Sequence, residues 1–293
     1  MKVVIILSFL VLAVTTEKAF LIYVVGTLYN VEEGFQDWEQ ELYLNDNVVV
    51  GDFSSEGKYH GNVPLIFGSQ NALQDEFPHQ VSIQIYKRSG WQHICGGSII
   101  SEDAVLTAAH CLFGREKYRF RIIAGEWDLT KDDGTEQTSL VRKTVLHPSY
   151  NPQTRDYDYA GLKLANPLKY NNHVKNISLA PANAPLVNCS TSGWGLRESG
   201  EISPILQKVD LPLVEHTICA EKYQHINKIT DRMVCAGAAG KGACFGDDGG
   251  PLQCNGLLLG ISSWWNSPCA QEQYPTVFAD VTAAIGHSWI DRQ

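Results

Sequence analysis

From Val81 to Ser263 one local pattern recurs, short runs of β-branched and aliphatic residues broken by turn residues, and it restricts the fold more than any other feature of the chain. Val81-Ser82-Ile83-Gln84-Ile85 alternates with period two, as a strand does when one face lies in a core and the other does not. Further β-rich runs lie at Ala104–Thr107, Phe120–Ile123, Ser139–Leu146, Leu206–Leu213 and Leu257–Ser263, with turn residues between them. Only Glu215–Tyr223 and the closing Ala283–Ile290 read as helices. The pattern predicts an all-β body of roughly 230 residues, 66–293, built as closed Greek-key barrels with a C-terminal helix. There is no internal repeat.

The ends of the chain read differently from the body. Lys2, the apolar run Val3–Val14 and the charged Glu17-Lys18 pair form a signal-peptide pattern over residues 1–19. The apolar run is too short to span a bilayer, and no later segment is longer, so the mature chain is expected to be soluble and secreted, with no membrane partner. Eight cysteines fit an oxidising compartment. Residues 20–65 carry eight Asp or Glu, one basic residue (Lys58) and no cysteine, the composition of an acidic pro-segment. The interleaved Phe35, Trp38 and Tyr43 offer a partner-binding stripe as the alternative reading. That segment holds most of the net charge of −9, and no basic face is large enough to argue for nucleic acid.

The chemistry concentrates in Cys244-Phe245-Gly246-Asp247-Asp248-Gly249-Gly250-Pro251, where glycines let backbone N–H groups crowd around a reacting atom. This stretch resembles the Gly-Asp-Ser-Gly-Gly-Pro segment of the chymotrypsin/trypsin-like serine proteases, with Asp248 at the position of the nucleophilic serine. Phe77-Pro78-His79-Gln80-Val81-Ser82, His93-Ile94-Cys95-Gly96-Gly97-Ser98-Ile99-Ile100, Thr107-Ala108-Ala109-His110-Cys111, Asp158-Tyr159-Ala160-Gly161-Leu162-Lys163-Leu164, Ser192-Gly193-Trp194-Gly195 and Leu206-Gln207-Lys208-Val209 extend the likeness over essentially the whole body. The resemblance implies two closed barrels, His110 and Asp158 as the retained members of a degenerate triad with Asp248, Ser263 as a hydrogen-bond donor to Asp158, and the N–H groups of Gly246 and Asp248 as the oxyanion hole. In that family the histidine acts as the base and the aspartate orients it. Arithmetic alone allows 105 pairings of eight cysteines; the resemblance selects Cys95–Cys111, Cys189–Cys254, Cys219–Cys235 and Cys244–Cys269.

Three further departures accompany Asp248. The floor of the family's primary substrate pocket corresponds to Gly242, which offers no charge, and the wall glycines are replaced by Trp265 and Thr276. A Trp side chain buries some 150–250 Å², enough for Trp265 to fill the slot, unless it turns outward as a loop anchor. At the activation site, Ile66 follows Leu65 rather than Lys or Arg, so trypsin-like cleavage is not expected there. Without a free α-amine on Ile66, Asp247 needs another partner or a looser, wetter site; a chymotrypsin-like or elastase-like cut after Leu65 is the alternative. The stretch from Gly125 to Gln137 is similar to the calcium loop of trypsins, and Glu126, Asp133 and Glu136 are candidate hard-oxygen ligands, with a solvated acidic hairpin as the other reading. No cofactor is required. Asn176-Ile177-Ser178 is a glycosylation sequon, and Asn188-Cys189-Ser190 a poorer one. The sequence thus predicts a secreted, inactive protease homologue that binds extracellular proteins, whether proteases, inhibitors or cascade components. An endopeptidase with residual activity is the alternative.

Overall fold

The computed structural model describes residues 69–184, 186–196, 202–267, 269–271, 273–283 and 289–290, and the backbone of short strands at 13–15, 18–20, 52–53 and 59–60. The chain divides into a unit of residues 1–49 and a unit of residues 50–293. In the first, Ala13–Thr15 pairs antiparallel with Lys18–Phe20. The signal-peptide and pro-segment expectations, and Leu65 and Ile66, otherwise lie outside the described residues.

The larger unit carries the two β-systems. Its first six principal strands are β1 (Gln80–Lys87), β2 (Gly90–Ser101), β3 (Ala104–Thr107), β4 (Phe120–Ala124), β5 (Gln137–Leu146) and β6 (Ala160–Leu164). They close in the order β5-β6-β3-β2-β1-β4, with β4 pairing back onto β5. The alternation read in Val81–Ile85 is only half of the story, because Ser82 and Gln84 on the second face are buried as well. Inside, Val81, Ile83, Ile99, Val105, Ile122 and Leu162 form one core. Fully burying each such side chain is worth about 1.5–3 kcal/mol.

The second system is a nine-stranded half-barrel sheet. It holds β7 (Cys189–Gly193), β8 (Gln207–Asp210), β9 (Leu213–Val214), β10 (Met233–Ala236), β11 (Pro251–Cys254), β12 (Leu257–Trp264) and β13 (Thr276–Asp280). Its path runs β9-β10-β13-β12-β11-β7-β8 and ends on Gln70–Asn71, while Ser178–Leu179 lies parallel to β12. The fold is the trypsin-like double barrel. The run Leu206–Leu213 is split into β8 and β9 by Leu211-Pro212, since proline has no N–H to give a ladder. The only helix of eight residues among those described, α1 (His216–Tyr223), is fixed to β10 by Cys219–Cys235. The closing helix expected at Ala283–Ile290 falls mostly outside the described residues, with Trp289 and Ile290 helical and packed into the first core.

All four disulfides pair as the resemblance implies, with no free cysteine. No helix among the described residues is long and apolar enough to cross a membrane.

Candidate functional site

Strand pairing brings His110 and Asp158 together across 48 positions of sequence. Ala160 of β6 lies opposite Thr107 of β3, so the residue two before one strand meets the residue three after the other. Asp158 Oδ1 accepts the backbone N–H of His110 at 2.9 Å, and Oδ2 faces His110 Nδ1 at 2.7 Å. Ser263 donates its hydroxyl to the same Oδ2. The pairing of β12 with β13 shifts register between Ser262 and Trp264, leaving Ser263 as the extra residue of a bulge, where a side chain is re-aimed.

Asp248 completes the group. Its Oδ1 lies 3.0 Å from His110 Nε2, so the imidazole has a carboxylate on each nitrogen. The backbone beneath it is held from neighbouring strands: Gly96 N–H donates to the Asp248 carbonyl at 2.7 Å, and Gly249 N–H to the Ser262 carbonyl at 2.9 Å. Gly249 has φ +73°, and a Cβ there would stand 2.2 Å from Thr107 Oγ1, so only glycine fits.

The electrostatics follow from this geometry. Burial opposes a charged His110, but Asp158 and Asp248 together overcome it and push its pKa up to about 9. Burial likewise opposes ionisation of Asp158. The imidazolium, Arg155 and the Ser263 hydroxyl reverse that and hold its pKa below the ordinary carboxylate value.

Asp247 points the other way, into the protein. Its Oδ1 accepts Gly195 N–H and its Oδ2 accepts Cys244 N–H, both at 2.9 Å. Burial pushes its pKa up to about 7, against the pull of those two N–H groups and with a further push from Asp248. Next to it Gly246 adopts φ +95°, and its carbonyl accepts the Nε2–H of His93 at 3.3 Å. His93 Nδ1 in turn accepts the Ser82 hydroxyl at 2.8 Å, which fixes the tautomer. The loop that presents the two candidate oxyanion donors is therefore tethered to the first barrel.

Of the three pocket residues, Gly242 and Thr276 meet. Thr276 Oγ1 accepts Ala243 N–H at 3.0 Å, and a Cβ added to Gly242 would lie 2.8 Å from that oxygen. Trp265 is half-buried against the core that holds Ala243, Cys244 and Cys269. Its ring meets Phe245 edge-on, with centroids 5.5 Å apart and planes at 86°.

In the acidic loop, Glu126 is buried, and burial with the charges of Glu136, Asp133 and Asp128 pushes its pKa up to about 7. Glu126 Oε1 and Asp133 Oδ2 are buried without a hydrogen-bond partner among the described residues. Glu136 instead gives its two oxygens to the N–H groups of Asp133 and Thr135. The loop fits a hard cation in charge and in unsatisfied oxygens, but the three carboxylates are not gathered on one point. Among the described residues, three ligand-type atoms come within 4.8 Å of one another only at Cys95, His110 and Cys111, whose sulfurs are already joined to each other.

Two site residues escaped the sequence reading. Phe245, 48% exposed, lies within the Cys244–Pro251 stretch, and its pairing with Trp265 spans 20 positions. His93 lies two residues before Cys95, and only the structure shows which loop it holds. A lone aromatic between a cystine and a glycine was the one available signal for the former.

The trypsin family model matches residues 66–290. Chymotrypsin-like elastase family member 1 of Felis catus is 38% identical over 77% of this chain and 88% of its own length. The human protein of the same name is 37% identical over 77% of this chain and 91% of its own. Trypsin-1 of Astacus astacus is 37% identical over 77% of this chain and 98% of its own length.

Proposed function

This chain belongs to the trypsin-like serine protease family, and we propose that it is a secreted, catalytically inactive member that works as an extracellular protein-binding module, a cofactor, decoy or adaptor in a protease cascade. The observation that carries the reading is the Asp248 carboxylate 3.0 Å from His110 Nε2. Acyl transfer in this family needs a hydroxyl at that place and a neutral imidazole to take its proton. With a pKa of about 9, His110 is protonated at neutral pH and has no free lone pair with which to accept a proton. A carboxylate is itself a weak nucleophile toward an amide, and its charge beside the N–H groups of Gly246 and residue 248 opposes a developing oxyanion.

The half-buried Trp265 and its contact with Phe245 support the same reading, because they place aromatic bulk where the family's pocket wall carries glycine. Extracellular work is supported by the four disulfides, which persist where thiols are not kept reduced.

The rival reading is an endopeptidase with residual activity, favoured by the intact His110, Asp158 and Ser263 arrangement. A peptide library and a serine-directed fluorophosphonate probe separate the two. No labelling and no turnover are expected. Turnover that survives purification and disappears in His110→Ala would replace the proposal with the rival.

A further inference from the structure

The chain is acidic overall, with a net charge of −9, yet strand pairing gathers cations on one face of the first barrel. Arg115, Lys117, Arg119 and Arg121 alternate through the approach to β4 and into it, and Arg142 and Lys143 lie on β5 beside it. Leu140 of β5 stands opposite Arg121 of β4 in the register. Between Val141 and Lys143 the pairing of β5 with β6 slips by one residue, so Arg142 is the extra residue of a bulge and is thrown outward.

A surface groove of about 220 Å³ runs along this junction, lined by Tyr118, Arg119, Leu140, Val141, Arg142 and Lys143 among others. Arg119, Arg142 and Lys143 are exposed, and among the described residues no carboxylate lies within 4.0 Å of any of the three. The one acid lining the groove, Glu116, has an oxygen engaged by Gly114 N–H. The floor is apolar, with Leu140 41% exposed and Tyr118 half-buried.

We propose that this groove is a docking site for an extended acidic peptide segment of a partner protein, its carboxylates meeting Arg119, Arg142 and Lys143 and its apolar side chains meeting Leu140 and Tyr118. Charge complementarity selects the sign of the partner. The exposed leucine and the half-buried tyrosine select a peptide over a sulfated polysaccharide, which brings anions but few apolar groups to cover such a floor. The site does not depend on the chemistry at residue 248.

The test uses the full chain and a fluorescein-labelled peptide alternating Glu with Leu and Phe, read by anisotropy at low and high salt. Saturable binding that weakens with salt is expected. R142E/K143E should lose about ten-fold or more in affinity, Leu140→Asn should weaken it several-fold, and Lys175→Glu, at an exposed position outside the groove, should leave it unchanged. Hydrogen exchange on the wild type, with protection at residues 118–120 and 140–144, reads the same surface without any substitution. The proposal is overturned by absence of binding, by equal affinity in R142E/K143E when its melting temperature matches wild type, or by a sulfated oligosaccharide that binds where the peptide does not.

Discussion

His110 Nε2 and Asp248 Oδ1 stand 3.0 Å apart, the distance of a charge-assisted hydrogen bond between an imidazolium and a carboxylate. With Asp158 on the opposite nitrogen at 2.7 Å, the ring is held by charge from both sides. An NMR titration of His110 should give a pKa near 9, and Asp248→Asn should lower it. Because the folded value lies above the ordinary imidazole value of 6.5, the stability this group contributes is fully present below pH 6.5 and is lost as pH rises through about 9. A titration at or below 6.5 would mean that Asp248 turns away from the ring in solution.

Asp247 gives a second pH dependence. Its folded pKa of about 7 lies above the ordinary carboxylate value of 3.8, so its contribution is fully present below pH 3.8 and fades as pH rises through about 7. Asp247→Ala should cost about 2–6 kcal/mol, since it leaves the N–H groups of Gly195 and Cys244 buried and unpaired at about 1–3 kcal/mol each. Urea melts across pH 4 to 8, wild type against variant, check both statements.

Replacing Asp248 by serine should not by itself produce an efficient protease. The hydroxyl would give His110 a proton to take, yet Trp265 would still pack against the pocket core and against Phe245. An unprocessed chain also gives Asp247 no α-amine to order the loop, and losing one oxyanion donor costs about 10²–10³ in rate. Asp248→Ser, Trp265→Gly and a cut before Ile66 should act together and non-additively, measured as turnover on a peptide library. A single variant as fast as active relatives would show that residue 248 alone set the block.

Calcium should raise the melting temperature relative to chelator, because an ion held by Glu126 and Asp133 would relieve the repulsion among the loop's carboxylates. Glu126→Gln should remove the difference. Identical melting in calcium and chelator would rule the ion out.

Gly249→Ala should destabilise by about 2–4 kcal/mol, through its φ of +73° and the 2.2 Å approach of the new Cβ to Thr107 Oγ1. Chemical denaturation of wild type and variant measures this directly.

Much of the fold was legible in the chain, because strand identity is a local property. Val81–Ile85 announces β1 through its alternation, and Glu215–Tyr223 foretells α1 to within a residue. Neighbours are a different matter, since alternation says which face a residue takes but not what lies across from it. Nothing local in Gln70-Asn71 foretells its pairing with β8 more than a hundred residues away. The same limit hid the Phe245–Trp265 contact and the His93 bond to Gly246, each of which joins distant segments. It also hid the basic groove, because net charge averages over a surface on which β4 and β5 concentrate their cations.

The backbone at residue 248 is pinned by Gly96 from the first barrel, and its neighbour Gly249 by Ser262 from β12, and neither bond passes through the side chain at 248. What that position does chemically is thus uncoupled from how the chain holds itself there. A lineage carrying this scaffold can exchange hydroxyl for carboxylate while leaving the architecture's own solution intact, so descendants are free to trade cutting for holding without first passing through an unfolded ancestor.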